Sequence, residues 1–259
     1  MKDSSKWALI LGGSSGLGFA TAKKLAQHGF KIIIIHRDRK YDIERIKVNF
    51  QDITLTKNAL FSFNVDAINP IKRDELIQEI KKLIGVEKIH VLIHSIAKGN
   101  LKPMASENNA LNNQDFHLTI DAMAISLYDW VKDLVSSKLF SGDARLISFT
   151  SEGNSKAWES YAAVSAAKAA LEAITRNIAL EFAPIGIKAN CIQAGMTDTK
   201  SFQMIPNSEV LKEEAIKRNP NNRLTTPEDV ANVAYLLTME EAKWITGTVI
   251  KVDGGESLQ

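Results

Sequence analysis

Two side chains seven positions apart, Tyr161 and Lys168 in the run YAAVSAAK, carry the most legible chemistry of this 259-residue chain. Each helical residue turns about 100° and climbs about 1.5 Å, so Lys168 returns to within roughly 20° of Tyr161, about 10.5 Å along the axis. Both are therefore expected on one face. A phenol with a pKa near ~10 is protonated at neutral pH and can donate a hydrogen bond to an oxygen on which negative charge develops. Lysine adds three donors and a fixed charge with which to hold a ligand. Taken alone, the same pair also describes a packed tyrosine and a solvated lysine. The surrounding elements decide between the two.

A ligand is signalled near the start of the chain. Gly12, Gly16 and Gly18 lie in LGGSSGLG, directly after the apolar run WALIL (7–11) and before the helical pattern FATAKKLAQHG. Glycine permits a tight turn and a close backbone approach, while the following helix presents free amides and a positive dipole end to a pyrophosphate. Ser14, Ser15 and Leu17 complete this candidate dinucleotide loop. Its G-x3-G-x-G spacing differs from the G-x-G-x-x-G fingerprint. At the end of the second strand, His36 and Arg37 stand where a carboxylate would favour NAD by bonding the ribose hydroxyls. Arg37 can instead make charge-assisted bonds to a 2′-phosphate, with Arg39 as a helper and Asp38 as a partial neutraliser. NADPH is therefore expected over NADH.

Apolar runs of strand length alternate with helical patterns from end to end. Strands are expected at 7–11, 31–35, 59–65, 89–95, 145–150, 187–194 and 248–252. Helices are expected after the glycine loop, from near Pro70, over 113–138, and over 155–182, the last carrying Tyr161 and Lys168. Right-handed crossovers make such a chain an α/β doubly wound parallel sheet, a Rossmann fold of about seven strands, with ligands outside the carboxyl ends of the strands. Asp38–Asn58 is polar and poorly periodic. Residues 196–222, rich in Asn, Lys and Ser, are a candidate substrate lid within the single domain 1–259.

Composition sets the bounds. An apolar content of 45% suits one domain with a substantial core. A formal charge of +2, with both signs well mixed, gives no electrostatic reason to expect nucleic acid or a membrane surface. Cys191 is the single cysteine, which excludes an internal disulfide. The stretch MKDSSKWALI lacks the long apolar segment of a signal peptide, and no run approaches the roughly 20 apolar residues of a membrane span. A cytoplasmic protein without membrane insertion is expected. Neither His36 nor His94 belongs to a metal-spacing motif, so no metal is expected. His94 reads more readily as a buried, hydrogen-bonded strand-end histidine than as a catalytic base.

The glycine loop resembles that of the short-chain dehydrogenase/reductase superfamily, and the likeness covers nearly the whole chain. HSIAKG (94–99) replaces the superfamily's NNAG-like sequence and resembles the enoyl-acyl-carrier-protein reductase branch. The resemblance implies that the backbone around Ser95, Ile96 and Ala97 borders the cofactor and that Gly99 faces substrate. Most of the superfamily has its tyrosine four residues before the lysine. That position here is Val164, which cannot exchange a proton. Tyr161 matches instead the Y-x6-K pattern of enoyl-acyl-carrier-protein reductases, particularly the NADPH-dependent type with a glycine-rich loop. The displacement suits the chemistry: in an enoyl thioester the hydride goes to the β-carbon while charge collects on the thioester oxygen, several bonds away.

The same resemblance assigns further roles. Lys168 binds the nicotinamide ribose, while Asn64 and Val65 contact adenine. In QAGMTDTKSF (193–202), Gly195 begins a turn, Thr197 meets the nicotinamide amide and Thr199 reaches phosphate. Met196 and Phe202, with Met204 and Ile205, offer apolar surface to an acyl chain. Ser151 and Thr150 are secondary catalytic candidates that can orient substrate or Tyr161. Asp121 takes the place of the usual helix asparagine and is read as a buried carboxylate needing partners. The terminal ITGTVIKVDGG resembles a region that helps form a homotetramer. The expected activity is NADPH-dependent reduction of trans-2-enoyl thioesters, on acyl carrier protein, in fatty-acid synthesis. Lys200, Lys212, Lys217 and Arg218 are candidates to meet that acidic carrier. A reductase of another carbonyl or enone, such as a 3-oxoacyl thioester, and a non-catalytic dinucleotide-binding regulator are the alternatives.

Overall fold

The computed structural model describes residues 6–54 and 59–259. The first five residues of the N-terminal stretch and the last four of Asp38–Asn58 lie outside the described residues. Parallel strands covered on both faces need near-continuous apolar runs, and the chain supplies them. Every residue of β1 (Trp7–Leu11) is buried, as is all but the first of β2 (Lys31–His36). They are joined by β3 (Leu60–Asn64), β4 (Ile89–His94), β5 (Phe140–Ser151), β6 (Ile187–Ala194) and β7 (Val249–Val252). All pairings are parallel, in the order β3-β2-β1-β4-β5-β6-β7. Leu9, for example, pairs with Ile33 on one side and Leu92 on the other. The strand order reverses at β1, which opens a crevice beyond the carboxyl ends of β1 and β4.

Alternation along each strand divides the core into two layers. Leu9, Leu11, Ile33 and Ile35 face α3 (Pro70–Ile84), α5 (Ser126–Ser136) and α6 (Ala162–Glu181). Ala8, Ile10, Ile32 and Ile34 face α1 (Gly16–Gln27), α2 (Ile43–Thr54) and α9 (Pro227–Leu236). Each fully buried Leu or Ile contributes about 1.5–3 kcal/mol relative to exposure. A third, smaller cluster, including Met123, Tyr161, Val164, Met196 and Phe202, sits at the cleft end.

Several segments depart from the sequence expectation. The described part of the polar region contains α2, held by Ile46, Phe50 and Ile53 at helical spacing. The expected helix 113–138 is divided: α4 (Asn113–Ile120) runs through a π-helical turn at Asp121–Ile125 into α5. That wider turn buries Ala122, Met123 and Ala124 but leaves Asp121 exposed, so Asp121 is not the buried carboxylate expected. The helix expected over 155–182 starts only at Ala162. Ser160 has a left-handed φ of 59°, which a continuing helix forbids, and Tyr161 follows as the cap residue. The Tyr161 carbonyl still accepts from the Ser165 amide at 2.8 Å, so helical hydrogen bonding reaches back to it. The candidate lid 196–222 contains α7 (Lys200–Gln203) and α8 (Ser208–Arg218). Among the described residues no helix is long and apolar enough to cross a membrane.

Candidate active site

A cavity of about 500 Å³ opens at the carboxyl ends of the central strands. Its first wall is the glycine loop. Gly12 has φ +86°, and a Cβ there would lie 2.5 Å from the Ser95 carbonyl oxygen. A Cβ on Gly18 would collide with the Gly12 carbonyl, so Gly18 packs behind the loop and does not line the cleft. Gly16, at φ +56°, leaves a narrow gap to Thr199, whose Cγ2 would stand 3.4 Å from a Cβ. Ser14, Ser15 and Leu17 line the cavity. The Ser15 side chain caps nothing, and the first turn of α1 holds no acidic residue. Free amides and the positive end of the helix are thus available to an anion.

Farther along, Val65 and Arg37 line the cleft but Asn64 does not. The Asn64 carboxamide accepts from the Asp38 amide at 2.9 Å and donates to the Asp38 carbonyl at 3.1 Å, fixing the turn after β2 instead. Asp38 pairs with His36 at 2.8 Å, and Arg39 donates to the Tyr41 hydroxyl. The partner of Arg37 is Asp66, which accepts from Nη1 at 2.5 Å. Burial pushes the Asp66 carboxyl up, but the Ile68 amide and the Arg37 guanidinium outweigh it and hold the pKa below the ordinary range. Arg37 remains 60% exposed, so its guanidinium is accessible to a second anion.

The catalytic candidates meet beyond the end of β5. Tyr161 is 7% exposed, and its hydroxyl lies 3.4 Å from Ser151 Oγ. One neighbour of the ring is Trp158, at 5.0 Å between centroids, and another is Gly153, where a Cβ would approach Tyr161 Cε1 to 2.5 Å. Burial raises the phenol pKa, against a smaller opposing effect of Ser151, so the hydroxyl is protonated at neutral pH. Lys168 donates from Nζ to the Phe149 carbonyl at 2.7 Å. Burial lowers its pKa to about 8, opposed by Cys191 and Glu172. Thr150 also lines the cleft, but its hydroxyl donates to Glu172 at 2.6 Å. Ser151 is therefore the hydroxyl that meets Tyr161. His94 lies outside the cavity wall, with Nε2 2.9 Å from Ser126 Oγ. Burial, then the charge of Lys168, lower its pKa to about 3, which keeps it neutral.

Ser95, Ile96, Ala97 and Gly99 form the wall after β4, and Gly195, Met196, Thr197, Thr199 and Phe202 the wall after β6. Gly99 has to be small, since a Cβ would stand 2.8 Å from Val164 Cγ2. Val164 itself reaches the cavity, so the usual tyrosine position is apolar within the site. Of the cations considered for a carrier, Lys200 pairs with Asp42, Lys212 with Asp198, and Arg218 with Glu152 and Glu256. Lys217 is exposed. The two glutamates line the cleft and had no sequence signal, being 66 and 38 positions from Arg218. Trp158 and Asp66 were also missed, although Asp66 directly follows the predicted third strand.

Known proteins resemble the chain over nearly its full length. The chain is 26% identical over 254 residues to 3-oxoacyl-[acyl-carrier-protein] reductase FabG of Chlamydia muridarum, covering 97% of each protein. The solved structure of YwfH, an NADPH dependent reductase involved in bacilysin biosynthesis, superposes with a TM-score of 0.82 at 27% identity, covering 98% of both chains. Enoyl-[acyl-carrier-protein] reductase (NADH) of Aquifex aeolicus shares the fold, with a TM-score of 0.82 at 23% identity over 98% of this chain and 97% of that one. Residues 12–257 match the family described as Enoyl-(Acyl carrier protein) reductase. With that match on a seven-stranded doubly wound sheet, the chain belongs to this family of the short-chain dehydrogenase/reductase superfamily, whose members are oxidoreductases.

Proposed function

We propose that the protein reduces the carbon–carbon double bond of a trans-2-enoyl thioester with NADPH, on acyl carrier protein, in fatty-acid synthesis. The observation that carries this reading is the placement of Tyr161 and Val164: an apolar side chain occupies the usual proton-donor position, while a buried phenol faces Ser151 from one helical turn earlier. The residues present fit a nicotinamide dinucleotide. The glycine loop and the amides of α1 would hold the pyrophosphate, Arg37 the 2′-phosphate, and Lys168 the nicotinamide ribose. When bound, this cofactor supplies the hydride.

The chain itself must manage the charge that develops on the substrate oxygen. Tyr161, kept protonated by burial, donates a hydrogen bond to the enolate oxygen and can pass it a proton. Ser151 lies close enough to orient that hydroxyl. Lys168 adds positive potential. Met123, Met196 and Phe202 exclude water from the acyl end. The test is NADPH oxidation by purified protein given crotonyl or longer enoyl thioesters, against acetoacetyl thioester. Turnover is expected only with the enoyl substrates; the reverse preference would make the protein a 3-oxoacyl reductase.

A further inference from the structure

Two buried carboxylates in the cleft wall have no part in the reduction. Glu152, one residue past Ser151, is 8% exposed, and Glu256, in the last turn of the chain, 3%. A buried carboxylate is costly unless paired, and here three of the four oxygens accept hydrogen bonds from protein donors, while the fourth, Glu152 Oε1, has an ion-pair contact but no hydrogen bond. Glu152 Oε1 meets Lys156 Nζ at 2.6 Å, and Oε2 accepts from both terminal nitrogens of Arg218 at 3.3 Å. Glu256 Oε1 accepts from Arg218 Nη2 at 2.7 Å, and Oε2 from the Met196 amide at 2.9 Å. These partners make the cluster a joint between segments, not a site for a cationic substrate.

The segments joined are informative. Arg218 is the last residue of α8, whereas Met196 belongs to the loop after β6. That loop continues to Thr199, beside Gly16, and it lines the same cleft as the glycine loop and Tyr161. One carboxylate thus holds the loop with one oxygen and the helix with the other.

We propose that Glu256 and Arg218 are positioning residues that couple cofactor binding at the 195–199 loop to the ordering of residues 200–218. The proposal rests on the nicotinamide reading of the cleft. Glutamine at 256 has one acceptor oxygen, so its NH2 must face either the Met196 amide or Arg218, and one of the two bonds is lost. An ammonium at 218 keeps the charge the carboxylates need, yet lacks the fork that spans them.

The experiment is a titration with NADPH, read by quenching of Trp fluorescence, combined with hydrogen exchange over residues 200–217 in the free and saturated protein. In the wild type, NADPH is expected to slow exchange across this segment. In Glu256→Gln and Arg218→Lys, melting near the wild-type temperature, that slowing should largely disappear and Kd should rise on the order of tenfold, the loss of one charge-assisted bond. Lys156→Gln, which touches only the far oxygen of Glu152 and the Gln259 carbonyl, should bind within about twofold of wild type. Wild-type Kd and exchange in both Glu256→Gln and Arg218→Lys would overturn the coupling. Failure of the wild type to bind NADPH would remove the cofactor reading, and the coupling with it.

Discussion

Replacing Lys168 with methionine should abolish activity while changing how stability depends on pH. The lysine falls from an ordinary 10.5 to about 8 in the folded chain, chiefly through burial. At pH 7 its charged form is therefore about 3 kcal/mol less favourable in the folded state than in the unfolded one. Between pH 8 and 10.5 the unfolded chain binds the proton that the folded chain has released, so wild-type stability rises with pH across this window. Methionine has no such proton. It also leaves the Phe149 carbonyl without its donor, at a cost of about 1–3 kcal/mol that does not vary with pH. The advantage of Lys168→Met over wild type should thus shrink by about 2–3 kcal/mol between pH 7 and pH 10. Urea unfolding of both proteins at several pH values, without cofactor, measures the difference directly. Parallel stability curves would refute the view that Lys168 is a charge held at a cost to folding. The same titration predicts that wild-type NADPH binding weakens above pH 8, and that the variant shows no inflection there.

Two substitutions separate binding from chemistry. Tyr161→Phe should bind NADPH like the wild type and lose about 10²–10³ in kcat, as for the removal of one oxyanion donor; unchanged turnover would take Tyr161 out of the mechanism. Arg37→Ala should weaken NADPH about tenfold and leave NADH nearly unaffected, because the guanidinium now held by Asp66 is the group offered to a 2′-phosphate. Equal losses for the two nucleotides would defeat that assignment.

The strand pattern and glycine loop were legible because both depend on local sequence: apolar runs mark covered parallel strands, and glycines mark backbone positions where a Cβ collides. The α2 stripe of Ile46, Phe50 and Ile53 was present but diluted by charged and amide residues. Pairings across the chain left no such trace. The side chain of Asn64 turned to the Asp38 backbone rather than the cleft, and Arg37 took Asp66, not Asp38. Helix periodicity also extended α6 backwards through Ser160, where a left-handed residue breaks it. Tyr161 and Lys168 still came together because the first helical hydrogen bond begins at the Tyr161 carbonyl.

Gly153 and Trp158 give the tyrosine a narrow slot, and its thinness on one side comes from a missing side chain. The aim of the phenol is settled as the chain folds, so its torsions need not be frozen when substrate arrives. A freely rotating side chain would cost about 0.5–1.5 kcal/mol of entropy at each binding event. The smallest residue in the neighbourhood thus keeps the proposed proton donor stationary.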